Sequence, residues 1–364
     1  MSPSSEKMTV VLHVGRHKTG TTTIQSVFKT NIMHFREHGL LYPKCLPACH
    51  SGFFLKAFGE AAKHPVHGRF GLSQAQIRAD AQEMLKNIRK EVRHFDGDKI
   101  LFSGEDAGTC LLVPHLERLK KTMRDICGEE PNYRILYFTR DPVSRAESGL
   151  QQLIKANGMT EEDARGFQIE GGGKRYKEIY ETYAKVFGDE AIEFYSYEVA
   201  RAHSDGLIGY FLGVLGLSID GVRNLETRTN TSISGEVLKF LSWLYEGPRV
   251  SPAGARLLQN RGTRAPITDR DRRVLFSLTG EKATFFSTDQ RKQVWDAVAD
   301  DMAFLKQRFD IEYAPPSGNT HTTDRLFGQT FKENLEAALP DLNVELRAAF
   351  EDFMKNHDHT AADT

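Results

Sequence analysis

The sequence is poor in cysteine, balanced in charge and free of long apolar runs, and each shortage removes a class of protein. Four cysteines in 364 residues, Cys45, Cys49, Cys110 and Cys127, are too few for a disulfide-stapled scaffold, and reduced thiols are expected. The segment Cys45-Leu-Pro-Ala-Cys49-His50 has no second Cys/His pair to complete a zinc set, so no metal is expected. With 48 basic against 49 acidic side chains the net charge is −1, so no overall field draws in nucleic acid or an anionic membrane, and any anion affinity must be local. No stretch approaches the length of a membrane span, and the start Met-Ser-Pro-Ser-Ser-Glu-Lys lacks the apolar core of a signal peptide, which sets the expectation of a cytoplasmic protein. No internal repeat is visible.

What the chain does have is alternation. β-rich apolar runs at 9–14, 99–103, 133–139 and 191–197 are separated by stretches of helical periodicity, the pattern of a parallel sheet with helices on both faces. A helix is expected from Thr21 to about His38, with Ile24, Val27, Phe28 and Phe35 on its core side, and another over 77–95. Residues 43–73 read as a long loop. Amphipathic helices are expected at 234–247 and 289–309, a linker near Pro315, and a helical stretch in the last 40 or so residues.

The most informative stretch is Thr9-Val-Val-Leu-His-Val-Gly15-Arg16-His17-Lys18-Thr19-Gly20-Thr21-Thr22-Thr23, an apolar strand running into a Gly/Thr loop that opens a helix. Backbone N–H groups at a helix start bind phosphate-like anions, and glycine lets the main chain approach closely. Gly15 and Gly20 have the spacing of a nucleoside triphosphatase loop, but Thr21 stands where that loop has lysine, and the lysine lies earlier, at Lys18. This displacement argues against ATP or GTP hydrolysis. The alternative structural reading is a loop that only caps a helix. Further along, Tyr133-Arg-Ile-Leu-Tyr-Phe-Thr-Arg140-Asp141-Pro142-Val-Ser-Arg145-Ala-Glu-Ser148 is a strand ending in arginine, then a helix started by proline and carrying serine. A guanidinium can hold a phosphate bidentately and a nearby hydroxyl can add a hydrogen bond. In isolation, Arg140 could equally pair with a surface carboxylate.

Together the two motifs resemble those of sulfotransferases that use 3′-phosphoadenosine 5′-phosphosulfate (PAPS), in the bacterial, carbohydrate or heparan-type branch. Lys18-Thr-Gly-Thr-Thr22 is similar to the family's 5′-phosphosulfate loop, and Arg140-Asp-Pro-x-x-Arg145-x-x-Ser148 to its 3′-phosphate site. The resemblance implies that Lys18 contacts the oxygen bridging phosphate and sulfate. It implies cofactor binding by Gly15, Arg16, Lys18, Thr19, Gly20, Thr21, Thr22, Arg140 and Ser148. Ala191-Ile-Glu-Phe-Tyr-Ser-Tyr197-Glu198 followed by Phe211-Leu-Gly resembles the family's late strand and helix, where Tyr197 and Glu198 read as structural. Arg228-Thr-Asn230-Thr-Ser232 resembles a short signature after the last strand, or a helix-capping turn. The likeness covers about residues 8–235. It implies a P-loop-like three-layer α/β fold, a central parallel sheet flanked by helices with a C-terminal helical appendage. The division expected is a sulfotransferase domain at 8–312, then a linker and appendage at 313–364.

Sulfuryl transfer needs a nucleophile, a base and stabilisation of charge on the leaving phosphate oxygen. Lys18 is the expected stabiliser, and the reaction requires no metal. Leu101-Phe-Ser-Gly-Glu105-Asp106 resembles the family's S-x-E strand end, which makes Glu105 the first choice of base, its pKa raised by partial burial. His17 and Asp106 are the reserves, and a capping role for Glu105 stays open. The expected acceptor is a hydroxyl of a small molecule or glycan, with no nucleic-acid partner; the sequence leaves the oligomeric state open. The competing readings are a P-loop small-molecule kinase and a catalytically silent nucleotide-binding protein. Gly171-Gly-Gly-Lys174 has no strand before it and no Ser/Thr after the lysine, so it reads as a hinge loop.

Overall fold

The computed structural model describes residues 7–63, 71–170, 175–225, 233–246, 266–281, 284–317 and 328–357. In chain order the elements are β1 (Thr9–His13), α1 (Thr21–Thr30), α2 (Ile32–Glu37), β2 (Leu40–Leu41), α3 (Ser51–Ala57), α4 (Gln74–Arg93), β3 (Lys99–Ser103), α5 (Asp106–Cys110), α6 (Val113–Cys127) and β4 (Asn132–Thr139). They continue with α7 (Pro142–Asn157), α8 (Glu161–Ile169), α9 (Tyr176–Phe187), β5 (Ile192–Ser196), α10 (Tyr197–Ala202), α11 (Gly206–Val214) and α12 (Gly235–Tyr245). The last are α13 (Asp269–Ser277), α14 (Thr288–Asp296), α15 (Ala299–Phe309), α16 (Gln329–Ala338) and α17 (Val344–His357). No described helix is long and apolar enough to cross a membrane. The chain divides into two units, one of Met1–Asp141, Gly173–Thr229 and Asp300–Tyr313, the other of Pro142–Gly172, Asn230–Ala299 and Ala314–Thr364.

The first unit holds a five-stranded sheet in the order β2-β3-β1-β4-β5, every neighbouring pair parallel. The four strands expected from the apolar runs are all present, and the parallel sheet with helices on both faces is the architecture observed. Val10, Val11 and Leu12 are buried, because a strand covered on both faces alternates between two cores rather than between core and solvent. On one face Val11, Leu101, Leu136 and Phe138 pack with Ile24, Val27 and Phe28 of α1 and with Phe211 and Leu212 of α11. On the other, Tyr137 stacks on Phe194 at 4.9 Å, and Phe194 on Phe309 of α15 at 4.7 Å.

Two features depart from the sequence reading. The helix expected over 21–38 breaks at Asn31, whose amide donates to the carbonyl oxygens of Val27 (2.8 Å) and Arg223 (2.9 Å) and whose Oδ1 accepts from the Arg223 N–H at 2.8 Å. A buried side chain that bonds a distant backbone segment outweighs helix continuity here. The stretch read as loop at 43–73 contains α3, which buries Phe53, Phe54 and Leu55 and is anchored where the His50 N–H donates to the Ser103 carbonyl at 2.8 Å.

The second unit is helical among its described residues. Leu150 and Ile154 of α7 share a core with Val237, Phe240 and Leu241 of α12, and with Phe331, Leu346 and Phe350 from α16 and α17. The apolar stripes of α16 and α17 close this core. Phe240 and Phe350 lie 4.0 Å apart, and Asn343 donates to Asp271 at 2.8 Å, fastening the start of α17 to that of α13.

Phe211 is the hub of the first unit's α1 face, fully buried and in edge or tilted contact with His13, Phe28 and Phe138 at 5.0, 5.6 and 5.8 Å. Phe211→Ala is expected to cost about 3–5 kcal/mol in a denaturant titration, through lost burial and the cavity left behind. Val199→Ala, at an exposed site, should stay within about 0.5 kcal/mol of the parent.

Candidate active site

Beyond β1 the backbone stays attached to β4. The N–H groups of Val14 and Arg16 donate to the carbonyls of Leu136 and Phe138 (3.1 and 3.3 Å), and Phe138 N–H donates to Gly15 at 2.9 Å. Gly15 has φ 130°, and a Cβ there would stand 3.3 Å from the Glu105 carbonyl oxygen, so both conformation and space call for glycine. The loop then turns through left-handed backbone at Lys18 (φ 71°) and Gly20 (φ 74°) into α1. Gly20 caps α1 with no side-chain hydrogen bond, and the first turn carries no acidic residue. The N–H groups of that turn have no intrahelical acceptor and stand at the positive end of the helix dipole, which suits an external anion.

Two expected hydroxyls are already committed. Thr19 is fully buried and donates to the Arg16 carbonyl at 2.6 Å, cross-bracing the loop. The Thr21 side chain is hydrogen-bonded to Glu105. Of the expected loop threonines, Thr22 is the one whose side chain is exposed.

Arg140 follows β4 directly, and its guanidinium Nη1 donates to the Lys18 carbonyl at 2.6 Å, so the two predicted motifs meet. Its backbone N–H donates to the Tyr176 hydroxyl at 3.2 Å, and that hydroxyl donates to the Arg140 carbonyl at 3.1 Å. The guanidinium stands 5.3 Å from the Tyr197 ring centroid, and its Nε is buried with no hydrogen-bond acceptor among the described residues. A buried donor without an acceptor is costly to leave so, and a phosphate oxygen is the kind of group that would satisfy it. Arg16 is buried with its guanidinium 5.5 Å from the Tyr176 ring centroid. Burial works against its charge, and Tyr137, Tyr176 and Asp301 outweigh burial and raise its pKa. Asp301 in turn accepts from the N–H groups of Tyr176 (3.0 Å) and Lys177 (3.2 Å), capping α9. Glu198 accepts from the Asp141 N–H at 3.1 Å, a structural role. Ser148 lies in the second turn of α7, in the second unit. Arg228–Ser232 and Gly171–Lys174 lie outside the described residues.

The third corner is where β3 enters α5. Gly104 N–H donates to the His13 carbonyl at 3.0 Å and Gly108 N–H to Val14 at 3.1 Å, which holds Glu105 beside the loop. His17 Nδ1 lies 3.3 Å from Glu105 Oε1, His17 Nε2 lies 3.0 Å from Asp106 Oδ1, and the Gln25 amide reaches Glu105 Oε2 at 3.5 Å. Burial alone would raise the Glu105 pKa, as expected from sequence, but hydrogen bonding and charge from His17, with the Thr21 hydrogen bond, bring it below the ordinary value. Glu105 is therefore an ionised carboxylate at neutral pH. For His17, burial is overcome by Asp106 and Glu105, which push its pKa up to about 9. As an imidazolium at neutral pH it cannot serve as the base.

Sequence reading passed over the support behind this corner. His13 is fully buried, its Nδ1 2.8 Å from Ser103 Oγ, and burial lowers its pKa to about 4. His50 Nδ1 accepts from the Ser103 N–H at 3.0 Å, and burial lowers its pKa to about 3. Tyr176 and Asp301 were equally silent, since nothing in their local sequence indicates a partner so distant in the chain. Among the described residues no group of three or more His, Cys, Asp or Glu is placed to hold a metal, and all four cysteines are free thiols.

Gly20→Ala is expected to lower stability by about 1–2 kcal/mol in thermal melts, because alanine at φ 74° adopts the left-handed region at that cost. The added Cβ would also meet Leu207 Cδ2 at 2.2 Å, a contact that a side-chain rotation can relieve.

No family model matches the chain, and no curated protein matches it. Among solved structures, a crystal structure of a sulfotransferase from Alicyclobacillus acidocaldarius is similar, at 16% sequence identity with a TM-score of 0.45, covering 83% of this chain and 96% of that one.

Proposed function

We propose that the chain is a PAPS-dependent sulfotransferase that moves a sulfuryl group to a hydroxyl of a carbohydrate-type acceptor. The observation that carries this reading is the Arg140–Lys18 hydrogen bond, which unites at one sheet edge the two motifs that resemble the family's 5′- and 3′-phosphate sites. The displaced lysine supports sulfuryl over phosphoryl chemistry, and the Lys18-Thr-Gly-Thr-Thr22 form supports the carbohydrate branch.

When bound, PAPS supplies a sulfuryl group on a phosphate leaving oxygen. In this reading the amides of Thr19, Gly20, Thr21 and Thr22, with the Thr22 hydroxyl, hold the 5′-phosphate, and Gly15 permits the tight turn beneath it. Arg140 holds the 3′-phosphate, and Arg16 adds a fixed positive charge. Lys18 stabilises charge that grows on the leaving oxygen, an interaction stronger in the transition state than in the ground state. Glu105 accepts the acceptor's proton. Its lowered pKa makes it a weak base that is fully ionised, so its contribution lies in availability and placement rather than basicity.

Calorimetry with adenosine 3′,5′-bisphosphate tests the reading. Micromolar binding that Arg140→Ala weakens by about one to two orders of magnitude is expected, with weak binding of ATP and Mg²⁺. Preference for ATP overturns it. Given an acceptor, Lys18→Ala should lower kcat by about 10²–10³ with much of the bisphosphate affinity retained. Glu105 should give an acid limb below its ordinary value of 4.5, leaving kcat/KM free of any acid-side loss at neutral pH. An acid limb near pH 6–7 that Glu105→Gln removes would contradict the lowered pKa.

A further inference from the structure

One side chain joins the loop to the β3–α5 corner, and its role is not covered by binding or proton transfer. His17 places Nδ1 3.3 Å from Glu105 Oε1 and Nε2 3.0 Å from Asp106 Oδ1, so a single imidazole spans both carboxylates. We infer that His17 is a positioning residue, a strap that ties the anion-binding loop to Glu105 and Asp106 and so fixes the base relative to the loop amides. The inference rests on the reading of this loop as the nucleotide site.

The strap depends on a proton. Only the imidazolium donates from both ring nitrogens; a neutral ring donates from one and turns a lone pair toward the other carboxylate. Deprotonation therefore opens one of the two links. The surroundings favour the closed form, since the two carboxylates carry His17 to about pH 9 against the effect of burial. From α1, the Thr21 hydroxyl and the Gln25 amide bear on Glu105. From the N-terminal end of α3, Ser51 Oγ accepts from the Asp106 N–H at 3.1 Å, and the Cys49 thiol, raised by burial, feels both carboxylates. Behind them His13 is neutral, and the cations Arg16 and Lys18 flank His17 in the loop itself. With 47% of its side chain exposed, His17 is partly screened, so the strap is a modest, tunable link rather than a rigid one.

The linkage has a definite sign. A raised folded-state pKa means that the stabilisation is complete below the ordinary 6.5 and is lost as pH climbs through about 9. The first test needs no ligand: the His17 ring proton is titrated by NMR in the parent and in Glu105→Gln. A parent midpoint near 9, falling by about a unit or more in the variant, is expected; a parent midpoint near 6.5 overturns the strap. The second is calorimetry with adenosine 3′,5′-bisphosphate at pH 7.5 and pH 10 on the parent and His17→Gln. The variant should bind roughly three- to tenfold more weakly at pH 7.5 and lose less affinity than the parent on going to pH 10. Equal affinities with equal pH dependence overturn the strap. A parent that binds no bisphosphate overturns the nucleotide reading instead, and the NMR titration then decides the strap alone.

Discussion

Strand β1 is hydrogen-bonded along both edges, parallel to β3 on one side and β4 on the other, with His13 in register with Ser103 and Leu136. Parallel pairing sends all three chains off the same edge of the sheet, and the three corners of the candidate site are the segments that leave there: the Gly15–Gly20 loop, the Glu105 turn and Arg140. The arrangement is the general one for open parallel sheets, in which ligands bind outside the carboxyl ends of the strands. Here the pairing extends past the strand ends through Val14, Arg16 and Phe138, so the loop is held to β4 before it turns. A shift of one residue would reverse which face each side chain occupies and exchange Val11 and His13 for their neighbours.

This dependence explains what could be read from sequence. The strands were legible because each is a short apolar run bounded by turn residues, and both loop motifs were legible because glycine, proline and charged residues recur there at meaningful spacing. Two-residue β2 was not, since Leu40-Leu41 carries no periodicity. The break at Asn31 was hidden because its cause is a hydrogen bond to Arg223, far away in the chain. In the candidate site, Lys18, Glu105 and Arg140 stand out in the sequence because their motifs carry them, whereas Tyr176, Asp301 and His50 act through partners that only folding brings near. The lowered Glu105 pKa is hidden from sequence for the same reason: burial is visible in an apolar strand, but the cation that outweighs it comes from another segment.

The electrostatics follow from concentrating cations in a chain with almost no net charge. Arg16, His17, Lys18 and Arg140 are drawn to one edge, and a cluster of cations at partly buried positions is stable only if each is matched or left facing an anion. His17 is matched by two carboxylates, and Arg16 by Tyr137, Tyr176 and Asp301. Arg140 is matched by halves: one nitrogen on the Lys18 carbonyl, and Nε with no acceptor among the described residues.

The carbonyl that Arg140 holds belongs to the peptide joining Lys18 to Thr19. In a trans peptide the C=O and the following N–H point in opposite directions. Drawing the Lys18 carbonyl toward Arg140 therefore turns the Thr19 N–H away from it and fixes the orientation of one amide of the loop. Arg140 thus acts on the loop itself. The two motifs then behave as one device: loss of the arginine would disorient the loop as well as remove a cation.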